Sequence, residues 1–175
     1  MKKGFTLIEL LIVIAIIGIL AVAFLPSLLG APSKGRDTAR IAAVNKVSAL
    51  LVSKSLAGVA LPATACIDPI GVETSIGDFI NINLADLGGT YPVDPKTDNV
   101  TTGAVPACTG QYGYIKFATV GHKYTTAVYA AVENNSNANI ACKEVKDALN
   151  LTLLKTGTYV PVAAGDVGCF IALLQ

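Results

Sequence analysis

The chain has 175 residues, of which 53% are hydrophobic and 14% are charged, and its formal net charge is +1. This length suits one domain with an appendage, and the near-neutral charge does not single out a strongly acidic or basic partner. The chain contains one histidine, no GxSxG motif and no glycine-rich phosphate loop. It therefore gives no support to a hydrolase or a nucleotide-binding enzyme, and we expect a protein that is not an enzyme.

The first element is an apolar run of 21 residues from Phe5 to Leu25. As a helix this run is about 32 Å long, close to the roughly 30 Å hydrocarbon core of a bilayer. Lys2 and Lys3 precede it, which by the positive-inside rule keeps the N-terminus cytoplasmic. The run contains one acid, Glu9, and a carboxylate at the centre of a bilayer costs on the order of 2.5–3.5 kcal/mol.

Two common kinds of N-terminal segment leave features of this run unexplained. A secretory signal peptide has an apolar core of about 7–15 residues, and its cleavage site needs small residues. The only plausible site here, Leu29-Gly30-Ala31, has a large leucine in place of a small residue. A plain single-pass anchor gives no reason for Glu9.

The residues Gly4-Phe5-Thr6-Leu7-Ile8-Glu9 resemble the processing site of type IV prepilins and of the related pseudopilins. This resemblance implies that prepilin peptidase removes a leader, residues 1–4, by cutting after Gly4, and that the new N-terminal Phe5 is methylated. It also implies that Glu9 meets the Phe5 amine of a neighbouring copy during assembly. The alternative is an internal pair, since residues 5 and 9 lie one helical turn apart.

Gly18 and Pro26 occupy places where many type IV pilins carry a glycine and a proline. The resemblance implies that the helix between them can lose its regular form in a filament. The alternative is that Pro26 only kinks the helix or ends it before Gly30, because an internal proline removes a backbone hydrogen bond.

The resemblance further implies an α+β fold in which a long N-terminal helix packs by its second half on an antiparallel sheet. Ile41, Val44 and Val47 recur at helical spacing after Ser33, a candidate N-cap, and form one apolar face. The expected segments are a leader at 1–4, a membrane and filament-core half-helix at 5–32, a packed half-helix at 33–56, a loop-rich region at 57–110, and a sheet with an inserted helix at 111–175.

The sequence after residue 56 alternates between turn signals and short periodic runs. Two runs rich in aromatic and β-branched residues predict an antiparallel hairpin. The predicted elements are a short helix at 76–87, the hairpin strands 111–119 and 123–132, a helix at 140–155, and strands at 159–163 and 169–174.

Charge is distributed unevenly along the chain. Five basic residues oppose one acid between Ser27 and Leu56, whereas six lysines oppose ten acids from Ala57 to Gln175. A basic stalk and an acidic head would attract each other between copies; two solvated surfaces are the alternative.

The chain has four cysteines, and an even number in an exported domain favours two disulfides. Sequence alone leaves three pairings open. Many type IV pilins close a C-terminal loop with a disulfide, so the resemblance implies Cys142–Cys169. Cys66 and Cys108 then remain as the second pair.

We expect no cofactor; a calcium site that uses Asp94 and Asp98 is the alternative to solvated turn acids. Tyrosines in the hairpin favour a half-buried sheet over stacking on nucleic acid. These candidate tyrosines are Tyr112, Tyr114, Tyr124 and Tyr129.

The resemblance implies a single-pass precursor in the cytoplasmic membrane and then a surface filament, or fimbrium, for adhesion, twitching motility or DNA uptake. The implied partners are lipid, prepilin peptidase, the assembly platform and other copies. A major pilin is favoured; a type II secretion pseudopilin and a low-copy minor pilin acting as an adhesin or DNA-binding module are the alternatives.

Overall fold

The structure is a computed structural model of the chain. It describes residues 4–67, 75–96, 112–117, 124–142, 145 and 165–175, without the side chains of 26–29. The chain divides into two compact units, residues 1–35 and residues 36–175, each of which is taken by itself below.

The first unit contains helix α1, Leu7–Leu29, followed by a turn at Gly30. Pro26 lies inside α1, which continues for three more residues and ends at Leu29, directly before Gly30. Helix α2, Ala31–Leu56, begins two residues before the predicted N-cap Ser33. The Ser33 hydroxyl instead donates to the Gly30 carbonyl oxygen at 3.0 Å, so it does not cap the helix.

Helix α2 ends where a glycine permits a left-handed backbone. Gly58 has a φ of 76° and its N–H donates to the Ser55 carbonyl, while the Val59 N–H donates to the Lys54 carbonyl. These two bonds satisfy carbonyls that the end of the helix would otherwise leave unpaired. Val44, Val47 and Leu51 are buried on the face of α2 that the sequence predicts to be apolar.

The second unit is built on a five-stranded antiparallel sheet with the order β1-β2-β3-β5-β4. The predicted hairpin is present as the paired strands β2 and β3, with Tyr114 opposite Val128. The strands are β1 Ala65–Ile67, β2 Tyr112–Lys116, β3 Thr126–Ala131, β4 Ile140–Ala141 and β5 Gly168–Leu174. A further helix, α3 Ser75–Ile82, and a 3₁₀ turn, Leu84–Leu87, lie in the predicted helical region at 76–87.

Two short strands differ from the sequence predictions. Strand β1 comes from the region expected to be loop-rich and pairs with β2. Strand β4 occupies Ile140 and Ala141, where a helix was expected to begin, and pairs with β5. The predicted strand at 159–163 lies outside the described residues.

Both faces of the sheet are covered by apolar side chains. Val128 and Ala130 of β3 join the core formed with α2 and α3, whereas Ala127, Tyr129 and Ala131 join a second core with Cys142 and Val145. A strand buried on both faces explains the continuous apolar run in β3. The apolar helix α1, helix α2 and the antiparallel sheet together confirm the expected α+β class, which is consistent with the type IV pilin fold.

Candidate functional site

The predicted cleavage position lies just before α1. Gly4 and Phe5 are not helical, α1 begins at Leu7, and the Phe5 side chain is 89% exposed. The peptide bond after Gly4 is therefore outside the regular hydrogen-bonding pattern of the helix.

Thr6 and Glu9 form a reciprocal cap at the start of α1. The Glu9 carboxylate accepts from the Thr6 backbone N–H at 2.8 Å and from the Thr6 hydroxyl at 2.7 Å. The Glu9 N–H in turn donates to the Thr6 hydroxyl oxygen at 3.3 Å. This is the capping-box arrangement, in which each residue satisfies a backbone N–H that the first helical turn leaves unpaired.

This cap gives Glu9 a partner that the sequence analysis did not identify. The T-x-x-E spacing was the available signal, and we interpreted these residues only as part of the processing motif. In the unprocessed chain the Phe5 nitrogen is an amide and carries no charge. The predicted ion pair between the Phe5 amine and Glu9, whether between copies or within one copy, therefore cannot form before cleavage. Pairing after cleavage stays a prediction.

The helix that follows is uncovered by the part of the chain that the structure describes. Residues Leu7–Leu25 have a mean hydropathy of 3.0 and none of this span is buried, so by length and composition it can cross a membrane. Gly18 lies on this helix with no atom within 4 Å of a Cβ built there. The flexibility predicted for Gly18 and Pro26 stays a prediction.

A cluster of charged side chains lies in the second unit around Arg40, whose side chain is fully buried. Arg40 donates through Nε to Asp94 Oδ2 at 2.9 Å and through Nη2 to Asp94 Oδ1 at 2.8 Å. It also donates through Nη1 to Asp37 Oδ1 and to Glu133 Oε1, both at 2.9 Å. We call Arg36, Asp37, Arg40, Asp94 and Glu133 the Arg40 cluster.

Asp37 holds the first turns of α2 to the end of β3. Its carboxylate accepts from the backbone N–H of Glu133 at 2.8 Å and of Asn134 at 2.9 Å. It also accepts from Asn137 Nδ2 at 3.1 Å. With the bond from Arg40, the buried carboxylate has four donors, which compensates for its removal from water.

Arg36 adds a bidentate pair at the edge of the cluster. Its Nε and Nη2 donate to the two Glu133 oxygens at 2.7 and 2.6 Å. These bonds, more than the contact with Arg40, lower the pKa of Glu133 from 4.5 to about 2. Burial alone would lower the pKa of Arg40, but its hydrogen bonds to Asp94, Glu133 and Asp37 outweigh burial and raise it.

The ion pairs of the second unit change the interpretation of the basic stalk and the acidic head. Two of the basic residues of the stalk, Arg36 and Arg40, pair with acids of their own head, and a third, Lys54, pairs with Asp86 at 2.8 Å. The attraction between stalk and head is thus used at least partly within one copy. Asp94, which with Asp98 formed the calcium alternative, has both carboxylate oxygens bonded to Arg40. Asp98 lies outside the described residues, so this alternative is not tested.

The hairpin tyrosines are core residues. Tyr112, Tyr114 and Tyr129 are buried, and Tyr124 is partly buried against the second core. Burial raises the pKa of each of the three buried phenols. Their rings are not available for stacking on a nucleic acid base.

One of the two expected disulfides lies within the described residues. Cys142 is bonded to Cys169, with the Cα atoms 4.9 Å apart, and the bridge joins the segment after β4 to β5. Cys66 lies in β1, but Cys108 lies outside the described residues. The Cys66–Cys108 pair therefore stays a prediction.

Comparison with known protein families identifies the N-terminal segment. Residues 1–25 match the model of the prokaryotic N-terminal methylation motif. The chain therefore carries a prepilin-type N-terminus, and the resemblance drawn from Gly4 to Glu9 is confirmed.

A curated relative is the type IV wide pilus major component PilA4 of Thermus thermophilus, with 60% identity over 43 residues. The matched segment covers 25% of this chain and 33% of the relative, so the likeness is to a short N-terminal stretch. No solved structure matches the chain.

Proposed function

We propose that this protein is the major structural subunit of a type IV pilus-like filament. The chain inserts as a single-pass precursor in the cytoplasmic membrane through α1, with its leader on the cytoplasmic side. Prepilin peptidase cuts after Gly4 and Phe5 is methylated. An assembly platform in the same membrane then adds the mature subunit to a surface filament of identical copies.

The observation that carries this proposal is the position of a fully exposed apolar helix directly behind the processing motif. A soluble domain does not leave a 19-residue helix with a mean hydropathy of 3.0 uncovered in water, because the exposure of its apolar side chains is opposed by the hydrophobic effect. Lipid covers such a helix in the precursor. Other copies of α1 cover it in a filament, where head-to-tail contacts that do not close generate a helical assembly.

The printed name of the Thermus relative, a major pilus component, favours a major pilin over a minor one. The alternatives are a type II secretion pseudopilin and a low-copy minor pilin. Three of the four candidate tyrosines are buried, which disfavours a DNA receptor that stacks bases on the hairpin. Adhesion and twitching motility are the uses we propose first for the filament.

The mass of the mature N-terminus tests the processing step. We expect the leader Met1–Gly4 to be absent and Phe5 to carry one methyl group. A mature chain that still begins at Met1, or that begins beyond Gly30, would contradict the proposal.

Abundance in sheared surface filaments tests the choice of a major subunit. We expect this chain to be the main protein of the filament by quantitative mass spectrometry. A processed chain found only in traces would instead indicate a minor pilin, and one confined to the cell envelope would indicate a pseudopilin.

A further inference from the structure

The residues just before the Arg40 cluster form a weak stretch of helix. Gly30 is a turn, and Pro32 and Gly35 lie in the first turns of α2. Glycine and proline are the weakest helix formers, and residues 30–35 are exposed or only partly buried. Helix propensity and burial within the described residues therefore contribute little to holding this stretch in helical form.

The next residues of α2, in contrast, are buried and bonded to distant parts of the chain. Asp37 and Arg40 are fully buried and are bonded to groups 54 to 100 residues away along the chain. Arg36, the first residue of the second unit, is bonded to Glu133. Strong anchoring thus begins within one residue of Gly35.

We propose that the Arg40 cluster is a stop that confines unwinding of the N-terminal helical region to residues before Arg36. Unwinding the turn from Arg36 to Arg40 would separate buried charges from their partners, and an unpaired buried charge is far costlier than a lost helical hydrogen bond. Opening that begins in the weak stretch, residues 30–35, therefore ends at the cluster.

The stop gives the chain a defined extension under load. The helical residues 31–35 lengthen from about 1.5 Å each in a helix to at most about 3.6 Å each when extended, a gain on the order of 10 Å. The head keeps its fold while this segment extends. The inference depends on the contacts of the second unit and would stand even if the chain were not a filament subunit.

Hydrogen exchange of the full-length chain in detergent micelles, read by mass spectrometry, tests the boundary. Exchange rates report the free energy of local opening. We expect the amides of Ala31 and of residues 33–35 to exchange on the order of 100-fold faster than amides at 38–44, Pro32 having no backbone N–H. Similar rates on both sides of Arg36, or a gradual change across α2, would overturn the proposal.

Variants test whether the cluster is the cause of the boundary. Glu133→Gln removes one carboxylate charge from the cluster. Asp94→Asn removes the charge of a different acid bonded to Arg40 and serves as the second variant in case the first fails to fold. The matched control is Lys54→Met, which removes an exposed ion pair at the other end of α2, where the side chains of Lys54 and Asp86 are 26% and 52% exposed.

The two cluster variants are expected to speed exchange at 38–44 by about tenfold and to leave 47–52 within about twofold of the unmodified chain. The Lys54→Met control is expected to leave 38–44 within about twofold. An equal effect of cluster variants and control at 38–44, or a uniform loss of protection along α2, would contradict a local stop.

Discussion

Arg40 and Asp94, which are 54 residues apart in the sequence, form a buried bidentate ion pair in the second unit. The pair joins α2 to the loop after the 3₁₀ turn at Leu84–Leu87. Two parallel N–H···O bonds between planar groups give this contact a defined geometry as well as energy. The pair therefore orients α2 relative to this loop in a way that apolar contacts alone do not.

Replacement of Arg40 by methionine is expected to destabilise the second unit strongly. The methionine fills part of the volume, but Asp37, Asp94 and Glu133 lose their shared cation. Breaking a buried pair by removing one partner costs about 3–5 kcal/mol, because the remaining charges stay buried without compensation. Denaturant unfolding followed by tyrosine fluorescence measures the change, since the chain has no tryptophan.

The control for Arg40→Met is Lys54→Met on the same helix. Its pair with Asp86 is solvent-exposed, so its loss is expected to cost no more than about 1 kcal/mol. Equal destabilisation by the two variants would show that the Arg40 cluster contributes no more than a surface pair.

Acid is expected to weaken the second unit through Glu133. The pKa of Glu133 is lowered from 4.5 to about 2 by its bonds to Arg36 and Arg40, so the ionised carboxylate is favoured in the folded state. Its stabilising effect is complete above pH 4.5 and is lost as the pH falls toward 2. Unfolding titrations across this window should show a steeper loss of stability in the unmodified chain than in Glu133→Gln. Parallel curves would contradict this assignment.

Replacement of Gly113 by any residue with a side chain is expected to destabilise the second unit. It lies opposite Tyr129 in the β2–β3 pair, and a Cβ at this position would overlap the Tyr129 ring. Gly113→Ala should therefore destabilise the fold by about 1–3 kcal/mol through displacement of the ring. Gly35→Ala is the control, since nothing lies within 4 Å of its built Cβ and alanine favours a helix; it should be neutral or stabilise by about 1 kcal/mol. Similar unfolding midpoints for both variants would rule out the overlap.

Glu9→Ala is expected to leave leader cleavage and membrane insertion largely intact and to reduce filament assembly. The reason is that the carboxylate lies in an apolar segment and is proposed to meet the Phe5 amine of another copy. Glu9→Gln distinguishes the role of the charge from the role of the cap. Glutamine lacks the negative charge but still suits the third helical position of a capping box. Electron microscopy of surface filaments should show a loss in both variants. Normal filaments in both would contradict the ion pair, and a defect in Glu9→Ala alone would assign the role to the Thr6–Glu9 cap.

Gly4→Lys is expected to block removal of the leader, because a long charged side chain replaces the glycine at the proposed cleavage position. Immunoblots or intact mass should show only the precursor. Gly18→Ala is the control, since its position on α1 is open and lies well beyond the cut. A mature chain that still begins at Phe5 in Gly4→Lys would be evidence against cleavage directed by Gly4.

Local sequence patterns predicted the parts of this protein that depend on neighbouring residues. The processing motif lies within six consecutive residues, Gly4–Glu9, and the apolar helix follows from uninterrupted hydrophobicity. The hairpin follows from runs of β-branched and aromatic residues. The same logic missed β1 and β4, which have three and two residues and are strands only because they pair with longer neighbours.

The sequence by itself determined a prepilin-type start and a membrane-length helix, because both depend on consecutive residues, and the resemblance carried by Gly4 to Glu9 implied the α+β fold. Only the tertiary structure decided that Arg36 and Arg40 are not a solvated basic stalk. Their partners Asp94 and Glu133 are 54 to 97 residues away, and no local pattern specifies which distant acid a cation will meet. That choice is made when α2 packs on the sheet and its charges must be paired to leave water.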